Sequence, residues 1–319
     1  MAPPLISVLL PVRDAAPYLD AALVSLSRQT LGDFEIVAID DGSTDGSRDI
    51  LARHAAADPR IAVHAQAAEG LIATLNRGLA LAGGRYLARM DADDVAWPER
   101  FAAQAAFLAN HPSVALVGGA VQEIDAAGRP GAIRRQPTEP AAIRAQLPTR
   151  NCIAHPTVMA RRAALVAAGG YRAAFLAAED YDLWLRLSEV ADLANLPAVV
   201  LSHRLHQATV SIERVEQQIL SEFAAREAAR RRRAGEADPT GSWDRVTPER
   251  LTGLGLDPAL LDRRIRNRAL RLARVSWKRD DKEAAATLAA LAAIRLPATA
   301  GWAERAGFHF RRLRIRFLV

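Results

Sequence analysis

Two aspartates separated by one residue follow a short apolar segment, and their type and spacing suit metal chemistry. Asp91 and Asp93 come directly after Tyr86–Met90. In an extended backbone, side chains two residues apart point the same way, so both carboxylates face one ion. Clustered carboxylates repel each other unless a cation neutralises them, and Mg²⁺ and Mn²⁺ prefer such oxygen ligands. The pair therefore predicts a divalent-cation site that holds the phosphates of a substrate.

A second acidic pair follows another apolar segment. Asp40 and Asp41 come directly after Phe34–Ile39 and precede a glycine and Ser43. Because turns use aspartate, glycine and serine, the pair also fits a plain turn in which Ser43 or Thr44 caps the next helix. Ligands of parallel sheets bind beyond the carboxyl ends of the strands. Both acidic pairs lie at such ends, which predicts one site at one edge of a sheet.

The chain up to about Ile124 alternates between strand and helix patterns. Short apolar segments rich in branched residues predict strands, and residues at helical spacing lie between them. The predicted strands are Leu5–Leu10, Phe34–Ile39, Ile61–His64, Tyr86–Met90 and Val114–Val117. This rhythm predicts an α/β fold, in which a Rossmann-like, mostly parallel sheet is flanked by helices on both faces.

The pattern becomes mixed after Ile124 and helical after about Glu213. The mixed part predicts two strands and two helices, which are the strands His155–Met159 and Ala198–Leu205 and the helices Ala163–Ala168 and Glu179–Val190. We therefore predict two domains, an α/β domain over residues 1–213 and a basic, helical extension over residues 214–319.

The composition fits a globular protein in a reducing compartment. Half of the 319 residues are hydrophobic, which allows a substantial core. Cys152 is the one cysteine, so no disulfide forms within the chain. The N-terminus lacks the basic segment of a signal peptide, and no uninterrupted apolar stretch reaches the roughly 18 residues of a membrane span. These features predict a cytoplasmic protein.

The net charge of +6 is unevenly distributed. Residues 214–319 hold 23 lysines and arginines against 13 aspartates and glutamates, whereas residues 1–213 hold 19 against 23. The basic region fits a solvated helical face, or an interfacial helix that anionic lipid holds at the inner face of the membrane. Nucleic-acid binding is a third interpretation, which no recognition motif supports.

The acidic pairs belong to a longer series of motifs. The series comprises Ile6–Val12, Ser27–Thr30, Phe34–Asp45, Gly84–Asp94, His155–Thr157, Glu179–Trp184, Arg204–His206 and Ser211. In order and spacing it resembles the family 2 glycosyltransferases, whose nucleotide-sugar-binding fold is called GT-A. The resemblance covers roughly residues 4–212, with Asp14 standing where the family often has asparagine. It implies a glycosyltransferase of the hexosyl-transferring class, which acts with inversion on a nucleotide-sugar, with a UDP-sugar favoured.

The resemblance also implies how the nucleotide is bound. Asp41 would accept a hydrogen bond from the ring N–H of a uracil-type base. Pro11, Val12 and Arg13 would form the opposite wall of the nucleotide site. Arg89, on the strand that leads into the acidic pair, is costly to bury unpaired and would either pair with a neighbouring carboxylate or reach a phosphate.

A metal ion and a catalytic base complete the implied site. Asp93 would bind Mn²⁺ or Mg²⁺, Asp91 would support the ion or contact the ribose, and His206 would complete the metal or phosphate site. Transfer to a hydroxyl needs a base that takes its proton. The resemblance assigns this role to Asp180, with Glu179 orienting the base or the acceptor, which would be a glycan or a lipid-linked glycan.

Other residues near these motifs have plainer interpretations. Asp94 caps a following helix or joins the acidic site. Asp182 and Arg186 are spaced for an ion pair within one helix, and Cys152 is most simply a small buried residue.

Four other functions compete with glycosyl transfer. A nucleotide-sugar-binding module without activity would keep the same motifs. Asp91 and Asp93 also resemble the nucleophile motif of haloacid-dehalogenase-type phosphatases, which need a positioned lysine, yet Lys278 and Lys282 are the only lysines. No Gly-x-Gly-x-x-Gly follows the first strand, which argues against a dehydrogenase, and a Mg²⁺ nucleotidyltransferase would need a basic glycine-rich loop.

Overall fold

The computed structural model, which describes residues 3–205, 212–278 and 282–294, contains a nine-stranded mixed sheet. Its strands are β1 (Ile6–Val12), β2 (Phe34–Asp41), β3 (Ile61–Gln66), β4 (Tyr86–Arg89), β5 (Val95–Ala96), β6 (Val114–Asp125), β7 (Pro130–Arg134), β8 (Met159–Arg161) and β9 (Asp192–Leu205). Their order across the sheet is β3-β2-β1-β4-β8-β6-β9-β5, and β7 pairs with β6.

Helices fill most of the connections and continue beyond the sheet. They are α1 (Ala16–Ser27), α2 (Ser47–Ala57), α3 (Leu71–Leu81), α4 (Arg100–Asn110), α5 (Pro140–Gln146), α6 (Arg162–Ala167), α7 (Glu179–Leu187), α8 (Ile212–Arg233), α9 (Pro248–Gly253), α10 (Pro258–Lys278) and α11 (Lys282–Ile294). Two short 3₁₀ helices cover His155–Thr157 and Pro239–Ser242.

The part of the sheet nearest the N-terminus is parallel. Strand β1 pairs in parallel with both β2 and β4, and β2 pairs in parallel with β3. Strand β8 runs antiparallel to its neighbours β4 and β6, and β6 pairs in parallel with β9. The predicted α/β fold, with a mostly parallel sheet flanked by helices and with helices beyond it, is confirmed.

The parallel strands are apolar on both faces because helices cover both. Ile6, Val8 and Leu10 of β1 belong to one buried cluster, which also contains side chains of α1 and α4. On the other face, α3 approaches the sheet so closely that a Cβ added at Gly78 would lie 2.9 Å from a methyl group of Leu9. The strands between these layers are therefore a rigid support for the residues that follow them.

One predicted element has a different structure. His155–Met159 was expected to be a strand, but His155–Thr157 is a 3₁₀ helix, and the strand β8 begins only at Met159. Pro156 explains the difference, because proline has no N–H to donate to a ladder and suits the first turn of a helix. The turn places the His155 side chain in the protein interior.

The described residues form two compact units. The first unit holds residues 3–173, 179–205 and 232–236, and the second holds residues 174–178, 212–231, 237–278 and 282–294. In the second unit, α8, α10 and α11 share an apolar core that includes Ile219, Ile265 and Leu288. The predicted domain division at residue 213 stays a prediction. Within the described ranges, no helix has the length and apolar character needed to cross a bilayer.

Candidate active site

Three carboxylates converge immediately after β4. Ligand oxygens of Asp91, Asp93 and Asp94 lie within 4.8 Å of one another. Asp94 is fully buried, and in the described part of the chain its Oδ2 atom has no hydrogen-bond partner. Burial, together with the charges of Asp91 and Asp93, raises the pKa of Asp94 to about 8. This concentration of oxygen ligands on a strand end is what a divalent cation requires.

The structure removes one interpretation of Asp94. Helix α4 begins at Arg100 and has Glu99 as its N-cap residue, so Asp94 does not cap it. Instead, the Oδ1 atom of Asp94 accepts a hydrogen bond of 2.8 Å from the main-chain N–H of Arg204, at the end of β9. Asp94 thus belongs to the acidic cluster, and the 110 residues that separate it from Arg204 explain why the sequence did not reveal this contact.

Two buried arginines hold the strand end in place. Arg89 donates from Nη1 to Oδ2 of Asp91 at 2.5 Å, and its Nη2 also contacts that carboxylate. Of the two alternatives for Arg89, the structure therefore shows pairing with Asp91. Below it, Arg100 donates from Nη2 to the main-chain oxygen of Arg89 at 2.7 Å. Burial lowers the pKa of Arg100 to about 9 against the attraction of Asp94, so Arg100 stays charged at neutral pH.

Asp41 lies at the end of β2, and its carboxylate accepts hydrogen bonds from the end of β3 and the loop that follows it. Its Oδ1 accepts from Nε2 of Gln66 and from the main-chain N–H of Glu69, both at 2.8 Å. Its Oδ2 accepts from the N–H of Gly70 at 2.9 Å, and Nη1 of the half-exposed Arg13 lies 3.7 Å away. Since each carboxylate oxygen accepts two hydrogen bonds, Oδ2 has one further position on the side of Arg13.

Asp41 and the acidic cluster lie on the same edge of the sheet. Strand β1, which ends with Pro11 and Val12, is flanked by β2 on one side and by β4 on the other. Two strand spacings separate the ends of β2 and β4, which corresponds to about 10 Å. Asp41 and Arg13 therefore lie at one end of this span and Asp91 at the other, on a scale that suits a nucleoside diphosphate.

The loop that follows β1 is locked to the loop that follows β2. Asp14 has a φ of 47°, a left-handed conformation that aspartate and asparagine tolerate better than most residues. Its Oδ1 accepts from the N–H of Thr44 at 2.8 Å, and its own N–H donates to Oγ of Ser43 at 3.0 Å. Asparagine adopts the same backbone conformation and offers a similar acceptor, so it would fit this position as well. Ser43 and Thr44 serve this contact, whereas Gly46 is the N-cap residue of α2, so the expected helix cap was wrong.

Glu179 and Asp180 open α7. Oδ2 of the half-buried Asp180 accepts from the Nδ2 group of Asn151 at 2.9 Å. Glu179 is buried, and its Oε1 lies 4.0 Å from Nδ1 of His155. A carboxylate that a neutral amide orients keeps its capacity to take a proton, as a general base requires.

A buried polar chain connects Glu179 to α3. Nε2 of His155 lies 2.9 Å from the hydroxyl of Tyr171, and the main chain of Tyr171 exchanges two hydrogen bonds with the side-chain amide of Asn76 at 2.8 and 2.9 Å. The preceding Gly170 has a φ of 65°, and a Cβ there would lie 2.7 Å from Oδ1 of Asn76. This series of polar contacts therefore positions the start of α7 relative to α3.

Asp182, on the same helix, has a structural environment. It is fully buried, and its carboxylate accepts from Nε of Arg172 at 2.9 Å and from Nη2 of Arg186 at 2.8 Å. Arg186 also donates to the main-chain oxygen of Gly170 at 2.7 Å. The predicted Asp182–Arg186 ion pair is confirmed, as is the burial of Cys152.

Two histidines of the described residues lie near the carboxylates of the site. The predicted metal ligand His206 lies outside the described residues, as do Ser211 and the arginine-rich terminus. His203, two positions before β9 ends, lies in the field of the acidic cluster: burial lowers its pKa, and the charges of Asp91 and Asp93 oppose this. His155 approaches Glu179 of the predicted catalytic pair, with Nδ1 4.0 Å from Oε1.

Comparison with known proteins identifies the family. The sequence model described as "Glycosyl transferase family 2" matches residues 7–167. The chain is 35% identical over 206 residues to the amylovoran biosynthesis glycosyltransferase AmsE of Erwinia amylovora, which covers 64% of this chain and 77% of that protein. The chain therefore belongs to glycosyl transferase family 2 and is a glycosyltransferase.

Solved structures support the fold. TarS residues 1–349 of S. aureus, in complex with UDP-GlcNAc, superpose with a TM-score of 0.56 at 18% identity, covering 89% of this chain and 90% of that one. The mannosyltransferase PcManGT of Pyrobaculum calidifontis, in complex with GDP-Man and Mn²⁺, gives a TM-score of 0.53 at 19% identity, covering 99% and 88%. Both similarities concern the GT-A fold.

The environment of His155 predicts a pH-dependent stability. Burial, with the nearby charge of Arg89, holds the pKa of His155 well below its ordinary value. As the pH falls through the unfolded-state pKa of about 6.5, the unfolded chain takes up a proton that the folded protein does not, so stability falls by at most about 1.4 kcal/mol per pH unit. The variant His155→Gln should lose this contribution.

Denaturant titrations of both proteins from about pH 7.5 to about pH 5 measure the difference. The stability gap between wild type and His155→Gln should narrow as the pH falls. A gap that stays constant for His155→Gln would contradict the neutral, buried state.

Proposed function

We propose that this glycosyltransferase moves a sugar from a UDP-sugar to a hydroxyl of a glycan or lipid-linked glycan, with inversion at the anomeric carbon. The observation that carries the proposal is the cluster of Asp91, Asp93 and Asp94 on the sheet edge that also holds Asp41. The relative AmsE is named for amylovoran biosynthesis, and TarS was solved with UDP-GlcNAc. A GDP-sugar is the alternative donor, because PcManGT was solved with GDP-Man and Mn²⁺.

The residues present fit a divalent ion. Asp93 would bind Mn²⁺ or Mg²⁺ directly, and Asp91, oriented by Arg89, would support it. The orphaned Oδ2 of the buried Asp94 is a further indication that a cation completes this cluster. When bound, such an ion supplies positive charge that stabilises the diphosphate leaving group. His206 remains a proposed additional ligand.

The region at the carboxyl end of β1, between Asp41 and Asp91, would hold the nucleoside. The remaining acceptor position on Oδ2 of Asp41 would take the N–H of the base, and Arg13, whose guanidinium is half exposed, would close over it. Pro11 and Val12 would form the floor, since the backbone of β1 lies between the two acidic sites. A nucleotide-sugar held in this way would present the sugar to be transferred beyond the end of β4.

Asp180 would take the proton of the acceptor hydroxyl. Asn151 orients its carboxylate, and Glu179, which His155 approaches from inside, would orient the acceptor. A direct attack that one base assists requires no covalent sugar intermediate and therefore inverts the anomeric centre. The second carboxylate of a retaining glycosidase has no role here.

Replacing Asp93 should remove metal-dependent binding. In the variant Asp93→Ala, Mn²⁺-dependent binding of UDP and turnover should both be lost, because the ion loses a direct ligand. Thermal shifts with UDP, GDP and UDP-sugars, each with Mn²⁺, with Mg²⁺ and after chelation, measure the loss. The exposed Asp49 of α2 gives the control Asp49→Ala, which should bind like the wild type. Equal metal-dependent shifts in Asp93→Ala would exclude this site.

Two carboxylates of α7 should separate catalysis from stability. In Asp180→Asn, nucleotide binding and folding should survive while transfer falls by about 100-fold or more. In Asp182→Asn, the ion pairs with Arg172 and Arg186 are lost, so the free energy of unfolding should fall by about 1–3 kcal/mol. Turnover rates and denaturant titrations of both variants test this. Normal transfer by Asp180→Asn would remove Asp180 from the mechanism.

We also propose that the basic C-terminal region contacts an anionic membrane surface. Along α10, the exposed arginines Arg263, Arg264, Arg271 and Arg274 fall within a sector of about 100° of the helix. A stripe of this kind attracts anionic lipid at about 1 kcal/mol per residue, which would suit a lipid-linked acceptor.

Vesicle co-sedimentation tests the membrane contact. Wild-type protein should pellet with anionic vesicles and not with neutral ones. A variant in which the four arginines are replaced by glutamine should pellet less with anionic vesicles at unchanged thermal stability. Equal recovery of the two proteins would refute the proposal that α10 forms the contact.

A further inference from the structure

Arg204 makes a set of contacts that the proposed reaction does not explain. It is buried near the end of β9, and its side chain donates to three backbone oxygens. Nε donates to the main-chain oxygen of Asp93 at 2.8 Å, and Nη1 donates to the main-chain oxygens of Asp125 and Ala126 at 3.1 Å each. The guanidinium also lies over the ring of Tyr18 on α1, with its carbon 4.6 Å from the ring centre.

These contacts converge on the acidic cluster. The carbonyl that Nε holds belongs to Asp93, the proposed metal ligand, and the main-chain N–H of Arg204 holds the carboxylate of the adjacent Asp94. One residue thus fixes the backbone of Asp93 and the side chain of Asp94. Nη1 of its guanidinium is anchored to Asp125, the last residue of β6, and to Ala126 in the turn that follows.

A loop that carries metal ligands needs such support. The backbone leaves the sheet after Arg89 and rejoins it at Val95, where β5 pairs with β9, so the acidic residues lie on the short loop between the two strands. Carboxylates crowded within 4.8 Å repel one another and would move apart if their backbone allowed it. Groups that orient metal ligands from outside the coordination shell typically change metal affinity by roughly 10- to 100-fold when they are removed.

We propose that Arg204 is a positioning residue that holds the Asp93 backbone so that Asp91 and Asp93 face one divalent ion. The inference rests on the proposed metal site. It assigns to Arg204 neither a contact with the metal nor one with the substrate. Its role is the geometry of the ligands.

The direction in which the Mn²⁺ affinity changes in an Arg204 variant separates the positioning role from a purely electrostatic one. A positive charge beside a cation site repels the cation. If charge were all that mattered, removing it with Arg204→Gln would tighten Mn²⁺ binding. If Arg204 positions the ligands, the same variant binds Mn²⁺ more weakly. Arg204→Lys keeps the charge but lacks the planar fork that reaches several carbonyls, so a positioning role also predicts weaker binding for that variant.

Arg161 provides a matched control. Its side chain also donates to three main-chain oxygens, from Nε to Val114 at 2.9 Å and from Nη2 to Leu108 at 2.6 Å and His111 at 3.1 Å. These acceptors lie at the start of β6 and the end of α4, away from the acidic cluster. Arg161→Gln therefore measures how the loss of an arginine that binds main-chain oxygens affects folding and Mn²⁺ affinity in general.

The experiment measures the affinity of the full-length protein for Mn²⁺ alone, from the electron paramagnetic resonance signal of the free ion. A second arm adds UDP. The proteins are wild type, Asp93→Ala, Arg204→Gln, Arg204→Lys and Arg161→Gln, each checked for folding by circular dichroism. We expect both Arg204 variants to bind Mn²⁺ roughly 10- to 100-fold more weakly than the wild type, with Arg161→Gln unchanged.

The outcomes distinguish the inference from the function on which it rests. If the wild type binds no Mn²⁺, or binds it as well as Asp93→Ala does, the metal site fails and the role of Arg204 fails with it. If the wild type binds Mn²⁺ through Asp93 and a folded Arg204 variant binds equally or more tightly, only the positioning role is overturned. Should Arg204→Gln not fold, Arg204→Lys gives the decision by the same criterion.

Discussion

The structure of the site depends on one electrostatic constraint, which is the repulsion among carboxylates held within 4.8 Å at the end of β4. Such a group is stable only if donors and positive charges surround it. Arg89 pairs with Asp91, Arg100 holds the carbonyl of Arg89 from below, and Arg204 holds Asp93 and Asp94 from the side. Arg100 and Arg204 donate mainly to main-chain oxygens. These arginines therefore hold the backbone of the site in place in addition to contributing positive charge. The proposed divalent ion would supply further charge compensation.

The sequence revealed what is local. Apolar periodicity located the parallel strands, and two aspartates at alternate positions located the acidic cluster. Helical spacing identified the Asp182–Arg186 pair. Each of these inferences needs only residues within a few positions of one another, so one strand or one helix determines them. The 3₁₀ turn at His155 was missed although Pro156 is a local signal, because the apolar residues that follow favoured a strand.

The sequence could not reveal contacts that the fold creates over long distances. Asp94 meets Arg204 across 110 residues, and Asn76 meets Tyr171 across 95. Each of these pairs joins the first part of the sequence to a much later part. No spacing rule relates the two residues of such a pair. The same limit applies to His155, whose surroundings come from α7 and from the segment before it. Its proximity to Glu179 follows from how these elements pack, so only the structure could place it there.

Asp41 illustrates how one carboxylate can serve both structure and recognition. Its carboxylate accepts from Gln66 at the end of β3 and from Glu69 and Gly70 in the loop before α3, so its first effect is to hold the start of α3 against the end of β2. Because α3 also carries Asn76, which clamps Tyr171, the order that Asp41 imposes extends toward His155 and Glu179. The proposed base contact uses the one acceptor position that this arrangement leaves, beside Arg13. The proposed recognition of the nucleotide and the positioning of α7 would therefore be linked through a single helix, whose N-terminal loop Asp41 holds and whose middle turn holds Tyr171.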